Sequence, residues 1–176
     1  MKIIFLDIDG VLNNQLFYTE IDQATRFKQS KEDAPLGSCD IDSRCIGLLN
    51  HIIDKTGAKV VISSSWRQGK TIEELTYILN YCGFIGEIIG KTPYLQFKSN
   101  LENYNYSVPR GCEIKAWIET NKDILGSKVL KLKYVILDDD SDMLYWQRDN
   151  YFLVDGYCGI TPNLAYRVIR FLNNED

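Results

Sequence analysis

Short apolar runs of strand length alternate along the chain with segments of helical periodicity, and this alternation restricts the fold more than any other feature. Residues 2–6, 58–62 and 134–137 are largely apolar throughout rather than apolar at every second position. Strands of that kind are buried on both faces, as in parallel sheets that helices cover on both sides. The sequence therefore predicts an α/β, Rossmann-like, three-layer sandwich around a mostly parallel five-stranded sheet.

Helical spacing and capping residues predict four helices between and after the strands, at 43–57, 72–82, 113–120 and 162–172. Thr71 and Glu74 have the spacing of a capping box at the start of the second helix. The last helix begins with Pro162 at its first position, where the missing N–H costs nothing. Two further apolar runs, 84–89 and 151–154, complete the five strands.

The length of 176 residues suits a single domain, 1–176, with one core. Two segments lack strand or helix periodicity. Residues 14–40 are expected to form a flap over the site, and residues 94–109, rich in Tyr and Asn, are expected to be an irregular loop. Neither is long enough for a substantial cap domain, so the sequence predicts an open site.

Composition argues against several classes of function. The net charge is -4 and no long basic run occurs, so the chain lacks the charge distribution of a tight duplex binder. No stretch approaches the ~20 apolar residues of a membrane helix, and no secretory signal is visible. Five widely spaced cysteines without a C-x-x-C pair indicate reduced thiols. We therefore expect a cytoplasmic protein that binds no membrane and has no obligate protein partner.

Polar clusters follow directly after three of the predicted strands, at 7–9, 63–65 and 138–142. In parallel sheets, ligands bind beyond the carboxyl ends of the strands, where these clusters meet. Two carboxylates about 4 Å apart repel each other by about 4 kcal/mol at an effective dielectric of about 20. A hard cation with oxygen ligands, Mg²⁺, relieves that repulsion. Each cluster alone is equally compatible with a solvated turn, but their joint placement favours a site.

Three strings in the right order resemble the motifs of the haloacid dehalogenase (HAD) superfamily. Residues 5–12, FLDIDGVL, resemble the first motif, D-x-D-G after hydrophobic residues. Residues 60–63 resemble the second, a strand that ends in Ser or Thr, and residues 135–142 resemble the acidic fourth. Shorter strings at 63–67, 90–93 and 110–114 resemble a small group of HAD domains associated with RNA-repair proteins of the polynucleotide kinase-phosphatase type.

The resemblance implies a Mg²⁺-dependent phosphatase with Asp7 as the nucleophile that forms an aspartyl-phosphate. Asp9 would protonate the leaving oxygen and later activate the attacking water. Ser63 would bind phosphoryl oxygens through its hydroxyl and its backbone N–H. Arg110 is the preferred basic residue of the third motif, the position that neutralises the intermediate.

The same resemblance implies a Mg²⁺ site formed by Asp7, the main-chain carbonyl of Asp9, and Asp138, with Asp139 and Asp142 holding the waters of the ion or binding it directly. Lys115 and Lys91 stay open as alternatives to Arg110 in the third motif. Arg67 is expected to contact a substrate phosphate or sugar because its fork-shaped guanidinium matches phosphate oxygens. Ser64 and Lys91 are expected to bind substrate beside it. Trp66 could stack on a base, although packing is the favoured interpretation.

An open site admits a bulky substrate, and the RNA-repair resemblance favours a phosphate at an RNA or DNA end. Small phosphate esters, phosphoproteins and a non-catalytic binding module stay open as alternatives. Phosphoprotein phosphatases of the superfamily usually carry Thr where this chain has Val11. A P-loop kinase, suggested by residues 90–92, is rejected because that motif requires glycine where this chain has Ile85.

Overall fold

A computed structural model describes residues 1–20, 34–98, 105–125 and 132–175 of the chain. In chain order the strands are β1 Lys2–Leu6, β2 Lys59–Ile62, β3 Ile88–Lys91, β4 Gln96–Lys98, β5 Asn105–Ser107, β6 Lys133–Asp138 and β7 Tyr151–Leu153. The helices are α1 Gln15–Glu20, α2 Ser43–Thr56, α3 Ile72–Tyr81, α4 Arg110–Thr120, α5 Lys122–Leu125 and α6 Pro162–Asn173. Among the described residues, three single-turn 3₁₀ helices lie at Ser38–Asp40, Ser65–Arg67 and Tyr145–Gln147.

Five of the strands form one parallel sheet in the order β3-β2-β1-β6-β7. The chain reaches β3 on one side of β1 before it returns to β6 on the other, so the strand order reverses beside β1. In sheets of this kind the crevice at the carboxyl ends is where ligands bind. The predicted fold class, a Rossmann-like three-layer α/β sandwich, is confirmed.

Alternate residues of β1 face the two layers of helices. Ile4 and Leu6 belong to the larger core, with α2, α3 and α6, whereas Ile3 and Phe5 belong to the smaller core, with α4 and α5. All four side chains are fully buried. The continuous apolar run of β1 thus has a simple cause, because both of its faces are covered.

Capping residues fix where α2, α3 and α6 begin, as the sequence predicts. The Asp42 side chain accepts from the Arg44 backbone N–H at the start of α2, and Gly57 ends that helix in the left-handed conformation. Thr71 and Glu74 form the predicted capping box before α3. Thr161 caps α6, and Pro162 stands at its first turn.

The irregular loop predicted over 94–109 is wrong for six of its residues. Gln96–Lys98 and Asn105–Ser107 pair as an antiparallel hairpin, β4 with β5, outside the main sheet. The strands are only three residues long, too short for a period-two pattern to emerge from the polar sequence around them. Most of the predicted flap over 14–40 falls on residues 21–33, which lie outside the described residues, so the flap stays a prediction.

Within the described ranges, the helices and strands belong to the one sheet domain and its hairpin, and no second domain of cap size is present. Among the described residues, no helix has the length and apolarity needed to cross a bilayer.

Candidate active site

The strand register places the predicted functional residues side by side. Leu6 pairs with Ile62 on one side and with Leu137 on the other. The next residue of each strand is therefore Asp7, Ser63 or Asp138, and backbone hydrogen bonds continue the ladder into this row. The Asp7 N–H donates to Leu137 O at 2.9 Å, and the Ser63 N–H donates to Leu6 O at 2.9 Å.

Three carboxylates converge at this row. Asp7, Asp138 and Asp139 each offer an oxygen, and these oxygens all lie within 4.8 Å of one another. Asp7 and Asp138 are buried, whereas Asp139 is exposed. The central pair of strands, β1 and β6, thus brings together acids that are separated by 131 residues in the sequence, as the strand-end pattern predicted.

Burial makes these acids costly to ionise. It raises the pKa of Asp7 from 3.8 to about 6, and the Arg110 charge opposes the rise. It raises the pKa of Asp138 to about 7, with a further contribution from the negative charge of Asp7. The pKa of Asp139 is also raised, again mainly by burial. A cation bound among the three would reverse this effect by favouring the ionised carboxylates.

The donor set fits a divalent metal ion. Asp138 Oδ1 accepts from the Asp140 N–H at 3.0 Å, but its Oδ2 is buried without a hydrogen-bond partner. The Asp139 carboxylate lies against Gly10 and Gly156, where a β-carbon would collide with it. An all-oxygen set of carboxylates is the chemistry that Mg²⁺ prefers. Asp7, Asp138 and Asp139 are the residues that could hold it.

Arg110, the first residue of α4, lies between two of these acids. Its Nη1 is 3.7 Å from Asp7 Oδ1 and its Nε is 3.8 Å from Asp138 Oδ2. Nη1 is buried and has no hydrogen-bond partner. These distances are long for direct hydrogen bonds, so the guanidinium acts on the acids through its charge and keeps donors free for a ligand.

The two alternatives to Arg110 are engaged elsewhere. Lys91 Nζ donates to the backbone carbonyls of Arg67, at 3.2 Å, and of Lys70. Lys115 Nζ lies 3.8 Å from Glu119 and above the Trp146 ring. Of these three basic residues, all of which the structure describes, only Arg110 forms ion pairs with the central acids.

Asp142 lies outside the carboxylate group formed by Asp7, Asp138 and Asp139, which argues against direct binding to the ion and leaves a contact through its waters as a prediction. Its Oδ2 accepts from the Arg110 N–H at 2.7 Å, and its backbone O accepts from the Gly111 N–H at 3.3 Å. Asp142 therefore caps the start of α4, where Pro109 offers no side-chain acceptor. In this position, Asp142 links the acidic loop after β6 to the backbone of Arg110.

Two buried hydroxyls at the ends of neighbouring strands have no hydrogen-bond partner. They are Ser63 Oγ, after β2, and Thr92 Oγ1, after β3. The predicted use of the Ser63 backbone N–H for a phosphoryl oxygen is wrong, because that N–H is spent on Leu6 O. The hydroxyl of Ser63 is free for that purpose. The neighbouring Ser64 side chain lowers the pKa of the Asp7 carboxyl.

Arg67 has a structural position, which corrects the substrate contact expected for it. Its side chain is 4% exposed and forms an ion pair with Glu113 of α4. Its guanidinium also donates to four backbone carbonyls, those of Ser63, Ser64, Thr92 and Pro93. With its donors engaged in this way, Arg67 ties together the ends of β2 and β3 and the first turn of α4.

Asp9 is held outside the carboxylate group, at the exposed rim. The Trp66 Nε1–H lies 3.0 Å from both of its carboxylate oxygens, and Asn13 Nδ2 donates to Oδ1 at 2.8 Å. Asn13 is itself buried and accepts from the Gly10 N–H at 2.8 Å. Sequence reasoning missed both contacts. The tendency of Asn to close loops could have indicated Asn13, but no local signal joins Trp66 to Asp9.

Two open clefts flank Ser65 at the rim of this edge. One, of about 240 Å³, is lined by Asp9, Leu36, Gly37, Ser65, Trp66 and Lys70. The other, of about 210 Å³, is lined mainly by polar residues, among them Gln68, Tyr94, Ser107 and Arg110. Asp9 and Arg110, which border the central acids, therefore line open clefts formed by the described residues.

A family model described as the HAD domain in Swiss Army Knife RNA repair proteins matches residues 3–165. The match spans nearly the whole chain and includes every candidate site residue named above. Neither the comparison with curated proteins nor the comparison with solved structures found a match.

Proposed function

The chain belongs to the family of HAD domains in Swiss Army Knife RNA repair proteins, and from that membership we propose a phosphatase with a defined chemistry. It is a Mg²⁺-dependent phosphomonoester hydrolase that works through an aspartyl-phosphate on Asp7. Its substrate is a phosphate at a polynucleotide end. The family supports phosphatase activity in general, and the more specific parts of the proposal depend on the site.

One observation carries the proposal. The buried Asp7 carboxylate lies among two further acids and a guanidinium, beside a buried Ser63 hydroxyl that has no partner. Buried polar atoms are nearly always paired in proteins, so unpaired ones at one site need an explanation. A bound cation and a phosphoryl group would together satisfy Asp138 Oδ2, Arg110 Nη1 and Ser63 Oγ.

In the first step, an Asp7 carboxylate oxygen attacks phosphorus while the bond from phosphorus to the ester oxygen breaks. The leaving oxygen takes a proton from Asp9, and the alcohol departs. Arg110 stabilises the negative charge of the transferring group, and the Ser63 hydroxyl donates to one of its oxygens. The products of this step are the free alcohol and the aspartyl-phosphate.

In the second step, Asp9 takes a proton from a water molecule that attacks the same phosphorus. The bond between phosphorus and the Asp7 oxygen breaks, which releases inorganic phosphate and restores the carboxylate. Dividing hydrolysis into two displacements is the general advantage of covalent catalysis. Bound Mg²⁺ would supply charge neutralisation, which lets an anionic nucleophile approach an anionic phosphate.

The polynucleotide end is proposed on two grounds. The family description names RNA repair proteins, and the described residues leave the site flanked by two open clefts rather than enclosed. The clefts carry Trp66, Lys70, Tyr94 and Gln68, which can contact bases and backbone phosphates. The net charge of -4 restricts such contact to a local patch.

Phosphate release from a substrate panel with and without Mg²⁺ tests the proposal. The panel contains 3′- and 5′-phosphorylated oligonucleotides, a small alkyl phosphate and a phosphopeptide. We expect Mg²⁺-dependent turnover, greatest on an oligonucleotide, and a loss of at least about 10³-fold in Asp7→Asn, as for removal of other nucleophiles. Asp149→Asn, a change at an exposed acid outside the site, serves as the matched control and keeps the wild-type rate.

Different outcomes separate the parts of the proposal. Strong preference for the small ester would overturn the polynucleotide end and leave the phosphatase intact. Turnover in Asp7→Asn at the wild-type rate would overturn the nucleophile. An absence of Mg²⁺-dependent turnover on every substrate, from a folded protein that still binds an oligonucleotide, would favour a non-catalytic binding module.

A further inference from the structure

The carboxylate of Asp9 is oriented by one aromatic residue of a different segment. Trp66 Nε1 lies 3.0 Å from both Oδ1 and Oδ2 of Asp9. A single N–H shared between both oxygens turns the open side of the carboxylate toward the indole, and a second donor on one oxygen restricts its rotation about that direction. Asn13 is this second donor, from within the same loop, with a bond of 2.8 Å to Oδ1.

Trp66 is itself firmly placed. It lies in the single 3₁₀ turn Ser65–Arg67, and its backbone N–H donates to the Ser64 hydroxyl at 3.3 Å. The next residue, Arg67, is fixed because its guanidinium donates to a buried backbone carbonyl and forms an ion pair with Glu113. The indole also packs on the larger hydrophobic core. The indole is therefore a rigid support for Asp9, because the residues before and after Trp66 are hydrogen-bonded and the ring itself packs on the core.

Gly37 supports the indole from the opposite segment. It has a φ of 91°, and a β-carbon there would lie 2.8 Å from Trp66 Cη2. Glycine is the residue that accepts this backbone conformation and this close approach together. The chain before α2 thus packs directly on the ring that holds Asp9.

We propose that Trp66 is a positioning residue that orients Asp9 for proton transfer to the leaving group, with Gly37 as its support. The inference rests on the proposed function, because it assigns a specific role within that reaction. Asp9 has to place its proton on the oxygen that leaves phosphorus. A carboxyl group that rotates freely at an exposed rim meets that oxygen less often than one whose rotation is restricted.

The role has a signature that a purely structural contact lacks. An alkyl leaving group departs as a strong base and needs the proton in the transition state, whereas p-nitrophenolate is a weak base and needs it little. The value of kcat/KM reports the first, ester-cleaving step. The ratio of kcat/KM for an alkyl phosphate to that for p-nitrophenyl phosphate therefore measures the proton transfer. It is also independent of the concentration of active protein, so partial unfolding leaves it unchanged.

The test is Trp66→Phe, which keeps an aromatic ring and removes the N–H. We expect kcat/KM for ethyl phosphate to fall about ten- to a hundredfold and that for p-nitrophenyl phosphate at most about twofold. Trp146→Phe is the matched control, since Trp146 is 61% exposed and lies beside Lys115. It should leave both values unchanged.

A second variant reaches the same contact without altering Trp66. Gly37→Ala places a methyl group against the indole and strains the backbone, so the ratio should fall in the same direction by a smaller factor. Equal losses on both substrates in Trp66→Phe and in Gly37→Ala would overturn the positioning role and leave the phosphatase standing. A wild-type protein that hydrolyses neither ester nor any oligonucleotide would overturn both.

Discussion

Two arginines at the same edge of the sheet, one buried and one half-buried, differ in how their donors are used. Arg67 donates to four backbone carbonyls and pairs with Glu113, and its side chain is 4% exposed. Arg110, with a side chain 19% exposed, lies 3.7 Å and 3.8 Å from two acids and leaves Nη1 without a hydrogen-bond partner. One guanidinium is satisfied by the protein, whereas the other is not.

The difference indicates which polar groups stabilise the fold and which serve a ligand. A satisfied buried network recovers the cost of desolvation in the folded protein itself. An unpaired group beside acids whose pKa is raised does not recover the cost of desolvation within the protein. Only a bound cation or anion can offset it. We expect changes in the network around Arg67 to alter stability, and changes in the site around Arg110 to alter turnover or ion binding.

Arg67→Met should have the largest effect, and the effect should be on stability. It leaves the Glu113 carboxylate buried without its cation and deprives four carbonyls of donors. We expect the free energy of unfolding to fall by about 3–5 kcal/mol, measured by urea denaturation. Arg67→Met with Glu113→Leu should recover much of the loss. A change below about 1 kcal/mol, typical of an exposed pair, would contradict the structural role.

Arg110→Met should affect turnover instead. Removal of one charged donor from the transferring phosphoryl group should lower kcat/KM by about 10²–10³-fold. The free energy of unfolding in Mg²⁺ should change little, because no buried partner of Arg110 lies within hydrogen-bond distance. Lys115→Met is the matched control and should keep the wild-type kcat/KM. The opposite pattern, with Lys115→Met inactive, would move the third-motif role to that residue.

Mg²⁺ should stabilise the protein more at pH 7.5 than at pH 5. The folded-state pKa values of Asp7 and Asp138 are raised from 3.8 to about 6 and about 7. Their protonated forms therefore favour folding below about pH 4, and this contribution is lost as the pH rises through 6 to 7. Mg²⁺ replaces the protons at high pH and competes with them at low pH.

The size of the Mg²⁺ effect follows from its affinity. At a hundred times its dissociation constant, the ion should add about 2.7 kcal/mol at pH 7.5, read as an increase in Tm. Potassium chloride at matched ionic strength is the control. Asp138→Asn should remove most of the Mg²⁺ response and stabilise the metal-free protein at pH 7.5. An equal Mg²⁺ response at both pH values would argue against ion binding at these acids.

Asp142→Ala should have the smallest effect, and it should be mixed, because Asp142 joins the two regions. Loss of the cap on α4 should lower the free energy of unfolding by about 0.5–2 kcal/mol. The lost hydrogen bond is to the Arg110 N–H, so kcat/KM should also fall. The expected loss is about fivefold, less than the tenfold that 1.4 kcal/mol would give. Asp149→Ala is the matched control. A Mg²⁺ affinity lowered by Asp142→Ala as strongly as by Asp138→Asn would instead make Asp142 a metal ligand.

The parts of the structure that the sequence predicts well are those encoded locally. Burial on both faces makes β1 and β6 continuously apolar, and the acids that end them are visible as Asp7 and Asp138. Capping at Asp42, Thr71 and Thr161 depends on residues within three positions of each other. Parallel pairing then brings the strand ends together, so the central acids could be predicted from fold class alone.

The rest depends on tertiary contacts that leave no local pattern. Arg67 is satisfied mostly by backbone carbonyls, and any sequence supplies these. Asp142 has the spacing expected of a metal ligand, yet the approach of α4 turns it into a helix cap. The contact of Trp66 with Asp9 joins positions 57 residues apart. Composition and spacing could not distinguish a structural role from a role at the site, because arginine, aspartate and tryptophan each serve in both.

The most direct test of the central claim is chemical trapping of the phosphorylated protein. The wild-type protein is mixed with an oligonucleotide substrate in Mg²⁺, quenched with acid during turnover and reduced with borohydride, which converts an acyl phosphate to an alcohol. The account predicts homoserine at position 7, found by peptide mass spectrometry, and none in samples without substrate or Mg²⁺. Phosphate release with position 7 unmodified under these conditions, together with full activity in Asp7→Asn, would contradict it.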